Sequence, residues 1–342
     1  MRWSVAVALA IGGLGACLGA ALLERGQGDE QAGGRERVRQ QASIDQSHVL
    51  PLEPVRAPVG TGEQAFEYVR RLTSFGPRNP GTPGWSKQLD FVVETLAAAG
   101  IEAQRDTWTD RKELITFTNV TATLPGRRPE RIVLGCHHDT KCTTGHQNPE
   151  HNFHFVGAND GASAVALLLA LAPVLKAEDR EATIELVFFD GEESLDWNWN
   201  DAARALFGSK RYVQRHREAL LLGEEARIEA VGLLDMVGRT DLRIQEELYS
   251  TARLRTITWS AAVATGHQAH FYRRAEAAAD DHVPFLEVGI PAVDLIDLNG
   301  NPHWHKPTDT LENVSPRSLQ VVADVVLTML PEVERAYVTR RE

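Results

Sequence analysis

Acidic side chains stand where an apolar run in the middle of the chain stops. The run at residues 184–189 is followed by Asp190, Gly191, Glu192 and Glu193. Such a short β-branched and aromatic run is typical of a strand buried on both faces of a sheet. Two adjacent glutamates point in different directions, so one can hold a metal ion while the other moves protons. A solvated acidic turn remains the simpler interpretation of this stretch alone.

Four further positions carry a carboxylate or an imidazole beside a predicted element. They are His137 after a strand at 131–136, Asp160 before a helix at 162–176, Asp235 at the end of a strand at 229–235, and His305 beyond a strand at 292–296. The carboxyl edge of an open α/β sheet is where such side chains meet. Carboxylate and imidazole ligands without paired thiolates suit a catalytic zinc with an open position.

Each of these residues also has a structural interpretation when it is taken singly. Asp160 could be a helix N-cap, His137 a satisfied core histidine, and Asp235 a solvated strand end. Their joint occurrence at one predicted edge favours the metal site.

Two other segments carry residues of interest. In the stretch at 280–285, Asp281 stands beside His282, an arrangement that can orient a metal ligand. Trp197 closely follows the glutamate pair, and Trp304 directly precedes His305. Core packing is the alternative for both tryptophans, but an aromatic rim would recognise an apolar or planar part of a substrate.

The remaining periodicity predicts the scaffold. Strands alternate with helices, so we expect a single α/β domain with a mixed, mostly parallel central sheet flanked by helices. The other predicted helices lie at 63–72, 85–99 and 315–335, and the other predicted strands at 101–108, 114–124 and 184–189.

Composition limits the classes of partner. The chain has 342 residues and a formal net charge of −11, and no basic patch stands out. This argues against a nucleic-acid partner. We found no signal for association between subunits, so a monomer is expected.

The N-terminus predicts export. Residues 3–23 contain no charged side chain, which fits a cleaved signal peptide, an uncleaved membrane anchor or, around Cys17, a lipoprotein site. We therefore assign 1–25 to a signal or anchor, 26–45 to a flexible linker and 46–342 to the catalytic domain. The expected location is periplasmic, secreted or membrane-anchored outside the cytoplasm.

The ordered motifs resemble a known group. HHDT, VGANDGAS, FFDGEES, LLDMVG, DDHVPF, GIPAVDLI and HWHKPTDT are similar to motifs of the zinc-dependent aminopeptidase superfamily, over about residues 60 to 335. Within it they most resemble the animal-type glutaminyl-peptide cyclotransferases, which convert the N-terminal glutamine of peptides and proteins to pyroglutamate and release ammonia.

The resemblance implies a role for each matching residue. It implies one zinc per chain, with Asp160, Glu193 and His305 as ligands, and Glu192 as the general acid/base. Asp280 matches the residue that hydrogen-bonds the reacting amide, and Asp235 matches the carboxylate linked to it. The walls of the glutamine pocket match Trp197, Ile296 and Trp304.

Two alternatives stay open. In two-zinc aminopeptidases of the superfamily, the equivalents of His137 and Asp235 hold a second metal, bridged by that of Asp160. Those enzymes usually have serine where Asp280 stands and lack both tryptophans, which favours the cyclase. A non-catalytic scaffold is the other alternative, but such relatives usually lose ligands that this chain keeps.

One feature departs from the resembling family. Animal cyclases carry a disulfide between the positions of Cys136 and Val165, which this chain cannot form. A Cys136–Cys142 disulfide could replace it. The loop at 142–155 also differs from that family, so the resemblance does not predict substrate preference beyond the first residue.

Overall fold

The computed structural model describes residues 39–197, 199 and 201–339. The predicted leader, and with it the question of anchoring, lies outside the described residues. Gln41 N donates to Leu248 O at 2.8 Å, and Ile44 N donates to Glu246 Oε1 at 2.7 Å. The packed part of the chain therefore already includes residues that the sequence analysis placed in the linker.

A six-stranded sheet forms the centre of the molecule, in the order β1-β2-β4-β3-β5-β8. Its strands are β1 (Ala103–Thr109), β2 (Thr116–Leu124), β3 (Arg131–His137), β4 (Thr183–Phe189), β5 (Ile228–Asp235) and β8 (Ala292–Ile296). β1 and β2 pair antiparallel with their neighbours, whereas β4, β3, β5 and β8 are parallel. The mixed, mostly parallel α/β sheet is confirmed.

Helices cover both faces of this sheet. They are α1 (Thr61–Thr73), α2 (Pro83–Ala98), α3 (Ser163–Ala177), α4 (Phe207–Leu222), α5 (Ala252–Ala264), α6 (Val283–Glu287) and α7 (Pro316–Tyr337). Short 3₁₀ turns occur at Pro149–His151, Ala202–Arg204, Gln268–His270 and Leu311–Asn313. Within the described ranges, no helix has the length and apolar character needed to cross a bilayer.

A second, two-stranded sheet extends the domain. β6 (Ile244–Glu247) pairs in parallel with β7 (Phe271–Glu276). The sequence analysis assigned no element to these strands or to α4 and α5. They connect the later strands of the main sheet and, as shown below, supply a glutamate and a serine beneath the site.

The hydrophobic core lies in two layers, one on each face of the main sheet. The larger layer is built from α1, α3 and α7 against the sheet, and α3 is buried almost all round, as in Leu167 and Leu168. The smaller layer includes Phe189 and Val213 with Phe285. Strands buried on both faces read as continuous apolar runs, which is why 184–189 was recognisable as a strand.

The strand order places the chemistry. β3 and β5 are neighbours, but the chain leaves β3 toward β4 and leaves β5 toward β8, so the two connections diverge and open a crevice at the carboxyl ends of these strands. His137 and Asp235 end their strands there, and Glu192 and Glu193 follow β4 directly. The parallel register therefore brings residues that are far apart in sequence to one edge.

Candidate metal centre

Asp160, Glu193 and His305 meet as one buried group. His305 Nε2 lies 3.4 Å from Asp160 Oδ2 and 3.1 Å from Glu193 Oε1. Ligand atoms about 2.0–2.1 Å from a tetrahedral zinc would be roughly 3.3 Å apart, so these separations suit that ion. Asp160 Oδ2 is buried without a hydrogen-bond partner among the described residues. A buried carboxylate oxygen that lacks a hydrogen-bond partner and lies beside an imidazole nitrogen has the surroundings of a metal ligand.

The turn after β4 fixes Glu193. Gly191 has φ +68°, and a Cβ there would lie 2.5 Å from the Phe117 ring, so the tight turn requires glycine. The Asp139 carboxylate accepts hydrogen bonds from Glu192 N at 3.1 Å and from Glu193 N at 3.3 Å. These contacts set the direction of both glutamates.

A second carboxylate fixes Asp160. Asp309 accepts hydrogen bonds from Asn159 N at 2.8 Å and from Asp160 N at 3.0 Å. α3 begins after Ala162, which makes no side-chain capping bond. The alternative interpretation of Asp160 as a helix N-cap is therefore wrong, and its side chain is available to a ligand.

His305 occupies an uncommon backbone conformation. Its φ is +50°, which costs a non-glycine residue free energy and occurs mostly where function requires it. The Trp304 ring stacks on its imidazole at 4.4 Å, and Trp304 remains 39% exposed. The Trp197 ring lies 5.8 Å from the same imidazole. Both tryptophans therefore flank His305, as the predicted rim requires, and neither is a core residue.

A second buried group shares Asp160. His137 Nε2 lies 3.4 Å from Asp160 Oδ1 and 3.0 Å from Asp235 Oδ1. Burial would lower the pKa of His137, but the charge of Asp235 and the hydrogen bonds that the imidazole donates to nearby carboxylates outweigh it and raise the pKa well above its ordinary value. The group can thus hold either a second cation or a protonated histidine, with Asp160 between the two groups.

Glu192 belongs to neither group. It is 7% exposed, and burial raises the pKa of its carboxyl well above the ordinary value. Its Oε2 lies 3.9 Å from His137 Nδ1. A buried glutamic acid beside a metal site, outside the set of ligands, is suited to take up and return a proton.

The 280–282 segment lies under the site between β7 and α6. Burial and the negative charge of Asp235 raise the pKa of Asp280 to about 6. Asp281 Oδ1 accepts a hydrogen bond from Ser209 Oγ at 2.5 Å. His282 Nε2 lies 2.9 Å from Glu247 Oε2. Neither of these two contacts includes a residue of the Asp160–Glu193–His305 group.

The loop at 142–155, which differs from the resembling family, reaches the rim of the site. The His151 ring stacks on Trp197 at 3.7 Å with the planes 8° apart. Ile296 ends β8 and is 3% exposed. Cys136 and Cys142 are both free thiols, so the suggested replacement disulfide is wrong. Cys136 is buried at the end of β3, whereas Cys142 is exposed.

Sequence reasoning missed several residues that support the centre. Asp139 and Asp309 lie within motifs that were quoted and Lys141 directly follows one, but no local pattern shows what their side chains contact. Buried Arg78 donates from Nη2 to Gly157 O at 2.8 Å and holds the segment before Asp160. A turn-rich stretch with a single arginine gave the only signal for it.

Fold and site together define a metal-dependent, aminopeptidase-like α/β enzyme. Its ligands and a separate buried glutamic acid share the crevice at the carboxyl edge of the sheet. The model of Peptidase family M28 matches residues 119–330, and the chain belongs to this family.

Known relatives narrow the class. The chain is 31% identical to the glutaminyl-peptide cyclotransferase-like protein of Bos taurus over 75% of this chain and 72% of that protein. The glutaminyl cyclase structure from an Acidobacteriales bacterium matches with a TM-score of 0.72 and 31% identity, over 87% of this chain and 99% of that one. The glutaminyl cyclase structure from Fimbriiglobus ruber matches with a TM-score of 0.73 and 28% identity, over 82% of this chain and 98% of that one.

Proposed function

We propose that this chain is a glutaminyl-peptide cyclotransferase, an acyltransferase that converts N-terminal glutamine of peptides and proteins to pyroglutamate and releases ammonia. The observation that carries the proposal is buried Glu192, which lies beside the Asp160–Glu193–His305 group without belonging to it. Its position separates proton transfer from metal binding. The relatives named as glutaminyl cyclases supply the substrate class.

The metal in this proposal is one zinc ion held by Asp160, Glu193 and His305. A bound zinc supplies Lewis-acid polarisation of the side-chain carbonyl of the substrate glutamine. The donor set of two carboxylates and one imidazole leaves a coordination position for that oxygen. The positive charge of zinc also suits this group, because the carboxylates of Asp160 and Glu193 are buried close together and need a cation between them.

Glu192 would move the protons. Its carboxylate takes a proton from the substrate α-amino group as the nitrogen attacks the carbonyl carbon of the side-chain amide (Cδ) and closes a five-membered ring. The bond from this carbon to the amide nitrogen then breaks, and the same carboxyl returns the proton to the departing ammonia. A raised pKa suits both halves of this exchange. Because the nucleophile belongs to the substrate, its effective concentration is high.

The surrounding residues would position the glutamine. Asp280 would hold the leaving amide nitrogen, and its partial protonation near neutral pH follows from burial and from the charge of Asp235. Trp197, Ile296 and Trp304 would form the walls of a narrow pocket for the side chain. Asp281 and His282 would support Asp280 through their contacts with Ser209 and Glu247.

A direct test follows ammonia release from a peptide that begins with glutamine. The zinc-loaded protein should release one ammonia per peptide, and a chelator should stop the reaction until zinc is restored. A matched peptide that begins with glutamate should react far more slowly, because hydroxide is a poorer leaving group than ammonia here. Ammonia release that does not depend on zinc would contradict the proposal.

The two-zinc aminopeptidase is the second candidate function. The His137–Asp160–Asp235 group favours it, because its three atoms meet as closely as those of the first group. Such an enzyme would release free leucine from a peptide that begins with leucine. A cyclase should leave that peptide intact, so the two peptides separate the functions. A non-catalytic scaffold would act on neither peptide and carry no zinc.

For the molecule as a whole, we propose export through residues 1–25, a flexible linker after them and a catalytic domain from residue 46 onward. The domain would act as a monomer outside the cytoplasm, either free or anchored through residues 3–23.

A further inference from the structure

Lys141 is a buried cation at the metal centre that has no role in the function proposed above. It follows the HHDT motif at the end of β3 and is only 2% exposed. Because an unpaired buried charge is costly, a lysine in this position needs partners that compensate its loss of water.

The polar partners of Lys141 among the described residues lie in the segment that follows β4. Lys141 Nζ donates to Ser194 O at 2.6 Å and to Asp196 O at 3.3 Å, and lies 3.5 Å from Glu193 Oε2. An ammonium group carries three donors, so the two carbonyl oxygens take two of them and the charge of the group is left facing Glu193 Oε2. Lys141 therefore ties the end of β3 to the turn that carries Glu193.

The two oxygens of Glu193 thus have different partners. Oε1 lies 3.1 Å from His305 Nε2, on the side of Asp160. Oε2 is buried, makes no hydrogen bond to any described residue, and faces the ammonium group. The Glu193 carboxylate therefore points only its Oε1 at the candidate metal site.

The same lysine also contacts the aromatic rim. Its Nζ lies 5.9 Å from the ring centroids of Trp197 and Trp199, within reach of a cation–π attraction. A single side chain therefore holds the metal ligand and the pocket wall that follows it.

We propose that Lys141 is a positioning residue that retains Glu193 Oε2, so that Glu193 gives a metal only Oε1 and one coordination position stays open for the substrate. Without the ammonium group, Glu193 is free to bind zinc through both oxygens and close that position. The consequence for substrate rests on the proposed cyclotransferase, whereas the consequence for metal ligation does not.

The test compares K141M with a matched control, K176M. Lys176 Nζ also donates to two backbone carbonyls, Ala99 O at 3.0 Å and Gly100 O at 2.8 Å, but on the outside of the domain. X-ray absorption at the zinc edge of each zinc-loaded protein counts the light atoms bound to the metal. We expect one additional zinc-bound oxygen in K141M, none in K176M, and a return toward the wild-type number in K141R, which keeps the charge.

Activity provides a second readout. In K141M, kcat/KM for a glutamine peptide should fall about ten- to a hundredfold, the scale of a misplaced catalytic geometry, while the zinc content stays at the wild-type level. An unchanged zinc environment in folded K141M would overturn the proposal, as would loss of zinc together with activity, which would mean a purely structural role. If K141M does not fold, K141Q undergoes the same comparison.

The two proposals fail separately. A wild-type protein that leaves glutamine peptides unchanged, while K141M gains the zinc-bound oxygen, would refute the cyclotransferase and retain the role of Lys141. If instead the wild type is active, and K141M shows the same zinc ligation and the same kcat/KM as the wild type, the cyclotransferase stands and the role of Lys141 is refuted.

Discussion

At the scale of single residues, the two adjacent glutamates divide the work. Glu193 Oε1 faces His305, whereas Glu192 faces His137. One backbone turn, held by the carboxylate of Asp139, therefore directs the two side chains to different partners, which suits the proposed division into metal binding by Glu193 and proton transfer by Glu192. The sequence predicted both roles from the pair itself, but not the carboxylate that orients it.

The matched variants E192Q and E193Q test this division. E192Q keeps the shape of the side chain but removes its basicity, so turnover of a glutamine peptide should fall about 10²–10⁴-fold with the zinc content unchanged. E193Q should lose zinc, because a neutral amide replaces an anionic ligand. Zinc content measured by atomic emission, together with the rate of ammonia release, distinguishes the two roles. A loss of zinc from E192Q would make Glu192 a ligand instead.

We expect Asp280 to lower the stability of the folded protein while it supports activity. Its pKa in the folded protein is raised to about 6 from an ordinary value of 3.8. The folded state therefore holds the proton more tightly, and the contribution of Asp280 to stability falls as pH rises through this window. D280N should raise the free energy of unfolding at about pH 8 by on the order of 1–3 kcal/mol. It should also lower the activity.

Urea unfolding of D280N and wild type measures this effect. The difference should shrink as pH falls and largely vanish below the ordinary pKa of 3.8, where the wild-type carboxyl is protonated in both the folded and the unfolded states. The contrary result would be a D280N protein that is less stable than wild type at about pH 8.

At the scale of elements, the central strands and the long helices could be predicted because their patterns are local. The last strand was predicted at 292–296 and lies at Ala292–Ile296, and apolar runs predicted the buried strands of the parallel sheet. α4 begins at Phe207 with a glycine next and is rich in charges, and α5 has apolar and polar residues on all sides. Neither helix has the clear apolar stripe by which a surface helix is recognised.

Contacts between distant loops were beyond sequence reasoning for a different reason. Lys141 meets the Ser194 carbonyl, and Asp309 meets the Asp160 amide, only because the parallel strands bring their loops together. A single residue type in a loop does not show which distant loop it will contact. The candidate ligands were accessible because the motifs that carry them resemble a known family, and because Asp160 and Glu193 also stand beside predicted elements.

α7 anchors the N-terminal segment through Asp324. This carboxylate accepts hydrogen bonds from Ala57 N at 3.0 Å and Arg56 Nη1 at 2.7 Å, and lies 3.0 Å from His267 Nε2. Burial would raise its pKa, but these partners outweigh it and hold the pKa below its usual value. The stability that it contributes is therefore present at neutral pH and lost as pH falls through the folded-state pKa.

The variant D324N should lower the free energy of unfolding at neutral pH by about 1–3 kcal/mol, since charge-assisted hydrogen bonds are weakened. Asp90 provides the control, because it pairs with Arg105 at 2.7 Å but is 62% exposed. D90N should cost only about 0–1 kcal/mol. Thermal or urea unfolding compares the two variants, and equal losses would contradict the anchoring role of Asp324.

At the scale of the whole molecule, one sheet edge brings together residues that lie far apart in the sequence, from His137 to His305. The ligands Asp160, Glu193 and His305 come from three separate connections of a single α/β sheet. The net charge of −11 is in keeping with this centre, where many carboxylates are buried. Such a concentration of buried acids needs compensating cations, which here are Lys141, His137 and, in the proposed enzyme, the zinc ion.

Zinc counting in the wild type and in a matched pair of variants, H305Q and H137Q, tests the central claim most directly. The wild type and H137Q should each retain one zinc per chain and turn over a glutamine peptide, although H137Q does so more slowly. H305Q should contain no zinc and be inactive. Two zinc ions in the wild type, with one lost in each variant, would contradict the account and point to the two-metal aminopeptidase.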